Sequence, residues 1–417
     1  MRQPSTTSGI PTKGLRAPAV CLGLLLALVL TLVSVGTAGA ATIKVTNTHD
    51  SGPGSLRRAI DRANSHPGFD RIPIKATGTI ALHGSLPDLT TDLAIKGPGA
   101  RKLEVAGAQR GSHKRFPIFN IFSSPRAPGA SPVSVRVSGV SILRGSPGIL
   151  NHRGRLTVSR SALRHNVKGI SNGGGLTMSR STVSGNGNAI TNHAFLTVSG
   201  STISANGAGI QNFGGHATVS RSTLSGNHSN YHQSLHGLGG GIQNDGGTLT
   251  VSQSTLSGNS GAIANLLSGT ITVSQSTLSA NSALAQGGAI YDQPNSSPIT
   301  ILRSTIVANS PGGHDCTGGP VTSQGHNLVD DGTCGLTAQG DQPNTEPLLR
   351  PLGDYGGFTE TFKLRPSSPA IDAGFAAGAT TDQRGLPRAI DYPGVPTATG
   401  GDNSDVGAFE LQRSTGG

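Results

Sequence analysis

Three histidines, His228, His232 and His236, recur at four-residue spacing around Tyr231 in the stretch HSNYHQSLHGLGG. On a helical turn this spacing would put the imidazoles on one face, where they could ligate a metal. No nearby carboxylate completes such a set, and Ser, Gly and Asn flank it. A solvated polar loop is the plainer reading, and sugar stacking on Tyr231 is a third. Carboxylates are scarce over residues 133–310, where Asp245 and Asp292 are the only two. Glycoside hydrolysis needs two carboxyl groups a few ångströms apart. If each repeat adds one rung, these two lie roughly 10 Å apart along the axis, a poor acid–base pair. Catalysis would have to start from His236, Asp245 and Asp292, and the scarcity of acids favours binding over cleavage. Arg160, Arg180, Arg221 and Arg303 share one repeat position, with Gly200, Gln253 and Gln275 in the gaps. Such a column could seat a polyanionic polysaccharide. A charged surface that blocks edge pairing would look the same. The candidate binding residues are therefore Arg160, Arg180, Arg221, Tyr231, His232 and His236.

The elements that must position these residues are short and repeated. Copies start at Leu156, Leu176, Leu196, Ala217, Leu249, Ile271 and Ile299, with a degenerate copy at Val135. Each opens with alternating apolar and hydroxyl residues (LTVS, ITVS), the mark of a half-buried strand. A second short strand (STLS, STIS) places Leu163, Val183, Ile203, Leu224, Leu256, Leu278 and Ile306 in register, and a third element reads GISN, AITN or GIQN. Three strands and three turns in about twenty residues leave no room for helices and suit one coil of a parallel β-helix. Stacked coils turn equivalent residues into ladders. Asn166, Asn186, Asn206, Asn227, Asn259, Asn281 and Asn309 form one, read as structural, with amides bonded to each other and to turn backbone. An outward Thr column runs from Thr157 to Thr300; it is similar to the arrays of β-helical ice-binding proteins, though Thr is also simply a good strand residue.

Composition agrees with a solenoid. The 417 residues include 62 Gly, no Trp, 4 Tyr and 10 Phe, so aliphatics must fill the interior. Residues 1–40 read as a cleaved export signal: Arg2, Lys13 and Arg16, then an apolar run, then Ala38-Gly39-Ala40. Without those three basic residues the formal charge falls from +11 to +8, which suits an acidic partner. Export makes Cys316 and Cys334 a disulfide pair; metal binding or two free thiols are the alternatives. The expected segments are the signal peptide 1–40, an N-terminal cap with irregular first coils 41–132, repeats 133–310, a disulfide-closed loop with the last coils 311–345, and a C-terminal region 346–417.

The repeats over residues 133–310 resemble those of secreted bacterial right-handed parallel β-helix proteins of pectate-lyase-like fold. That resemblance, and not the spacing, implies the right hand. The stretch VTNTHDSGPGSLRRAIDRAN is similar to the CSLREA-type motif that precedes such helices, reading GSLRRAI without the cysteine. Its apolar Leu56, Ala59, Ile60 and Ala63 predict a short amphipathic capping helix with Ser55 as N-cap. The segments EPLLRPLGDYGGFTETFKLRPSSPAIDAG, TDQRGLPRAID and DVGAFELQ resemble the choice-of-anchor Q domain of exported bacterial proteins, which implies surface association. Asp382, Arg384, Arg388, Asp391, Asp405 and Glu410 are expected to seal the last coil as ion pairs, with a calcium site at Asp402 and Asp405 as a lesser alternative. The fold class expected is all-β, a right-handed single-stranded parallel β-helix with about three strands per coil. The function expected is carbohydrate recognition or adhesion outside the cell by a secreted monomer without cofactor or nucleic-acid partner. A polysaccharide lyase or hydrolase and a structural envelope protein are the alternatives.

Overall fold

In the computed structural model the described residues are 39–107, 115–123, 131–228, 239–282, 288–312 and 314–413. The proposed signal peptide and the loop carrying Tyr231, His232 and His236 lie outside them. Each repeat delivers one strand to each of three parallel sheets, of 11, 12 and 9 strands among the described residues. The architecture is a right-handed single-stranded parallel β-helix, as crossovers between parallel strands of one sheet nearly always are. Register is strict in the middle coils: Leu156, Leu176, Leu196, Ala217, Leu249 and Ile271 stack, as do Val158, Met178, Val198, Val219, Val251 and Val273. Both columns are buried. The intervening Thr and Ser point outward, because side chains alternate along a strand. At the N-terminal end, helix Leu56–Asn64 buries Leu56, Ala59, Ile60 and Ala63, and the Ser55 hydroxyl accepts from the Arg58 amide. The helix shares one apolar cluster with Ile43, Val45 and Ile72 of the first coil.

Two asparagine ladders run along the solenoid. In the anticipated one, each amide donates to the next carbonyl oxygen at 2.9 Å from Asn166 through Asn186, Asn206, Asn227 and Asn259 to Asn281. A second, built from the GIxN position, links Asn151, Asn172, Asn192, Asn212, Asn244 and Asn265 at 2.7–3.1 Å. All of these side chains are buried.

The last copy is displaced by one residue. Ile271 pairs with Thr300, and Leu278 with Val307, so Ile299 and Ile306 leave the interior columns. Ile299 is 51% exposed and Thr300 is buried. Asp292 continues the second ladder in register with Asn265, and its buried carboxylate needs a donor. The Thr300 hydroxyl supplies it at 2.7 Å while accepting from Asn265 at 3.2 Å. A polar partner for one buried acid thus outweighs the inward placement of Ile299. Three expectations are corrected as a result. Thr300 is not in the outward Thr column. Arg303 pairs with Ser274 and leaves the Arg column to Ser304. Asn309 is exposed and off its ladder, where Ser310 takes the place after Asn281.

The C-terminal region packs against Leu328 and bonds His326 and Gln342 of the last coils. It lies along the flank of the second sheet. Gln383 donates to Thr223 and accepts from Thr255. Gln275 reaches the Ala376 carbonyl, and the Ala408 amide reaches Thr277. Displacement of the last copy turns Ile306 and Ala308 outward into a second apolar cluster with Leu328, Leu364, Ile371, Val406 and Phe409. The expected ion pairs form inside this region, Arg384 with Asp382 at 2.7 Å and Arg388 with Glu410 at 3.6 Å. Asp391 instead pairs with Arg413 at the surface.

Candidate functional site

The exposed arginines of the column stand at turns. Arg160, Arg180 and Arg221 adopt φ of 48°, 47° and 47°, in line with Gly200, Gln253, Gln275 and Ser304. Each sits at the bend between first and second strands, where the chain must pass through the left-handed region. The Arg180 guanidinium lies 4.3 Å over the Phe358 ring, and the Arg221 carbonyl accepts from Thr359. Gln253 and Gln275 bond the C-terminal region. The column thus turns from exposed arginine into a docking seam.

Of the proposed enzymatic trio, the register places Asp245 and Asp292 two rungs apart. Asp245 pairs with Leu266 one position beyond the second ladder and is half-buried at the surface. Asp292 is inside the solenoid, where burial raises its pKa despite bonds from Thr300 and Asn265. His236 lies outside the described residues. In the alternative calcium site, the Asp402 carboxylate accepts from the Ala376 and Ser404 amides, and Asp405 from the Asp372 and Leu411 amides. Both acids serve backbone donors.

A different corner concentrates exposed rings. The residue after each buried Asn of the second ladder faces out, giving the column His152, Gly173, His193, Phe213, which Phe122 precedes beside His152. Two or three residues further on, a parallel column reads Arg155, Gly175, Phe195, His216. His193 stacks on Phe213 with centroids 5.4 Å apart, and Phe195 on His216 at 5.3 Å. Phe122 meets His152 edge-on at 5.6 Å. Phe195 is 64% exposed. Between the two groups of rings, Gly173, Gly174 and Gly175 leave one rung without side chains, and a Cβ on Gly175 would meet nothing nearer than 4.0 Å. Rungs repeat at ~4.8 Å, so the notch between His152 and His193 is ~10 Å wide. A flat, ring-walled slot of that width with Arg155 at its edge can hold one saccharide unit, its C–H face on a ring and an acidic substituent toward the guanidinium. Sequence reasoning missed this corner. The available signal was the clustering of three of the ten Phe at positions flanking the third strand of neighbouring copies.

A second feature lies at the disulfide-bonded end. Cys316 and Cys334 are joined, with Cα atoms 4.9 Å apart. Beside them a cavity of about 520 Å³ is lined by Asn309, Ser310, Pro311, Asp315, Asp330 and Asp331. The three carboxylates each offer an oxygen within 4.8 Å of the others, and among the described residues they are the group that could hold a metal. Burial, and then the neighbouring Asp330 and Asp331, push Asp315 up to about 8. Bonds from Thr333 and the Asp315 amide hold Asp331 below the usual carboxylate range, against the effect of its partial burial.

No known protein-family description matches the chain. No curated protein matches it either. Among solved structures it is similar to pectate lyase Pel9A, at 16% identity and a TM-score of 0.49 over 90% of this chain and 98% of that one. It is also similar to the catalytic domain of a GH87 α-1,3-glucanase, at 13% identity and 0.37 over 68% of this chain and 69% of that one. The A-module of Azotobacter vinelandii mannuronan C-5 epimerase AlgE4 matches at 11% and 0.38 over 68% and 86%. Likeness at this level says nothing of activity.

Proposed function

We propose that the protein is an exported recognition protein that binds an acidic polysaccharide across the ring-walled notch at Gly173–Gly175. The observation that carries this reading is the pair of stacked Phe–His contacts standing in solvent beside a side-chain-free rung and Arg155. Exposed aromatic clusters on a soluble surface mark binding sites. The apolar export signal, the formal charge of +8 and the surface-anchor-like C-terminal segments support action outside the cell, as a monomer or in association with the cell surface. A second reading, polysaccharide cleavage, draws support from Asp315 and Asp331, neighbouring carboxyls whose affinities for a proton are pushed in opposite directions.

The test is a glycan array and a titration with uronic-acid polysaccharides, run beside an assay for new reducing or unsaturated ends. Expected are binding without product, a loss of at least about tenfold for Phe195→Ala and Gly175→Leu, and less than about twofold for Arg180→Ala. Product formation would overturn the recognition reading in favour of cleavage. Failure to bind any acidic glycan would overturn both the ligand class and the notch.

A further inference from the structure

We propose that Asp315, Asp330 and Asp331 hold a hard divalent cation, calcium by preference, where the asparagine ladder breaks off beside the disulfide. Each carboxylate is held by a protein donor before any ion arrives, Asp330 and Asp331 by backbone amides and Asp315 by a hydroxyl. Asp331 accepts from the Asp315 amide at 2.8 Å through one oxygen and from the Thr333 amide and hydroxyl, at 2.9 and 2.6 Å, through the other. Asp330 accepts from the Asn309 amide at 2.7 Å. Asp315 takes the Ser310 hydroxyl at 2.6 Å on one oxygen. Its other oxygen, on a fully buried side chain that lines the cavity, has no donor. A buried carboxylate oxygen without a donor is costly and asks for a partner.

Protein cations do not meet that need. Among the described residues only the exposed His314 comes within ion-pair reach of the cluster, 3.9 Å from Asp331. Three carboxylates in contact repel one another unless a proton or a cation sits between them. The donor set is all oxygen, which selects calcium or magnesium over softer metals. The cavity leaves the remaining positions to water, and the flexible six- to eight-fold coordination of calcium fits a site with one open side. The displaced last copy creates the place: Ser310 stands where an Asn would have continued the ladder, and its hydroxyl turns to Asp315.

The test is calorimetric titration of the chelator-treated, oxidised protein with calcium and with magnesium, paired with thermal unfolding in each ion. Expected is one calcium per chain with a rise in Tm, weaker binding of magnesium, and a drop in affinity of at least about tenfold for Asp315→Asn and for the less buried Asp330→Asn. Absence of heat and of any Tm shift at millimolar calcium would overturn the site in favour of a proton shared by Asp315 and Asp330. Undiminished calcium binding in both variants would overturn it by placing the ion elsewhere.

Discussion

Asn212 shows how one side chain carries a fold with few aromatics. Its amide donates to the Gly215 carbonyl and to Asn244, and its oxygen receives Asn192. Replacement by Ala strands a buried donor and acceptor at once, so Asn212→Ala should cost about 2–4 kcal/mol in denaturant unfolding. Asn309, spelled at the position that builds the first ladder, is exposed and off that ladder. Asn309→Ala should cost less than about 1 kcal/mol. Equal losses at the two positions would sink this account of the displaced copy. The sequence makes the first ladder legible because its spacing is regular. It hides the slip at Asn309, because the cause is one buried acid, Asp292, whose need for Thr300 is visible only in three dimensions.

At the level of elements, the three strands of each coil and the capping helix at Leu56–Asn64 follow from local periodicity and an N-cap. Docking of the C-terminal segments does not. The contacts of Gln383 with Thr223 and Thr255 join residues more than a hundred positions apart, and nothing in either stretch names the other. The ring-walled corner escaped for a related reason: its members are unremarkable singly and acquire meaning only when coils stack. Thr255 offers a measurement of the docked seam. Its hydroxyl lies between Thr361 at 3.0 Å and Gln383 at 2.6 Å in a fully buried site. Thr255→Val keeps the shape and should destabilise by about 1–3 kcal/mol. Thr202→Val, at the same position two coils earlier and half-exposed, should change stability by less than about 0.5 kcal/mol.

The whole molecule carries a pH signature. Asp405 and Glu410 are buried together, and one guanidinium, Arg388, serves both, with Asp382 adding a further negative charge. Burial is the main cause that raises both groups, Glu410 to about 7, and Asp405 is raised further by Glu410 itself. A group whose folded value exceeds its unfolded one keeps a proton that the unfolded chain has already lost. Its stabilising effect is complete below about 4.5 and disappears as pH rises through about 7. Unfolding in chelator should therefore show stability falling between pH 5 and pH 8, at up to roughly 1.4 kcal/mol per pH unit for each titrating group. A profile that is flat or rises over that range would contradict this assignment.

The lateral seam also bears on how the protein would yield under load. A solenoid held only by contacts between neighbouring rungs can peel one coil at a time, each releasing about 70 Å of slack chain for twenty residues. Bonds of Thr359 with Arg221, Gln383 with Thr223 and Thr255, Gln275 with the Ala376 carbonyl and the Ala408 amide with Thr277 tie three successive coils to one strap. Tension on the C-terminal end must tear that strap off in shear before any of those rungs can unwind, while among the described residues the coils before Arg180, whose guanidinium rests on Phe358, show no bond to the strap. One end of the solenoid would thus yield in small steps and the other in a single break.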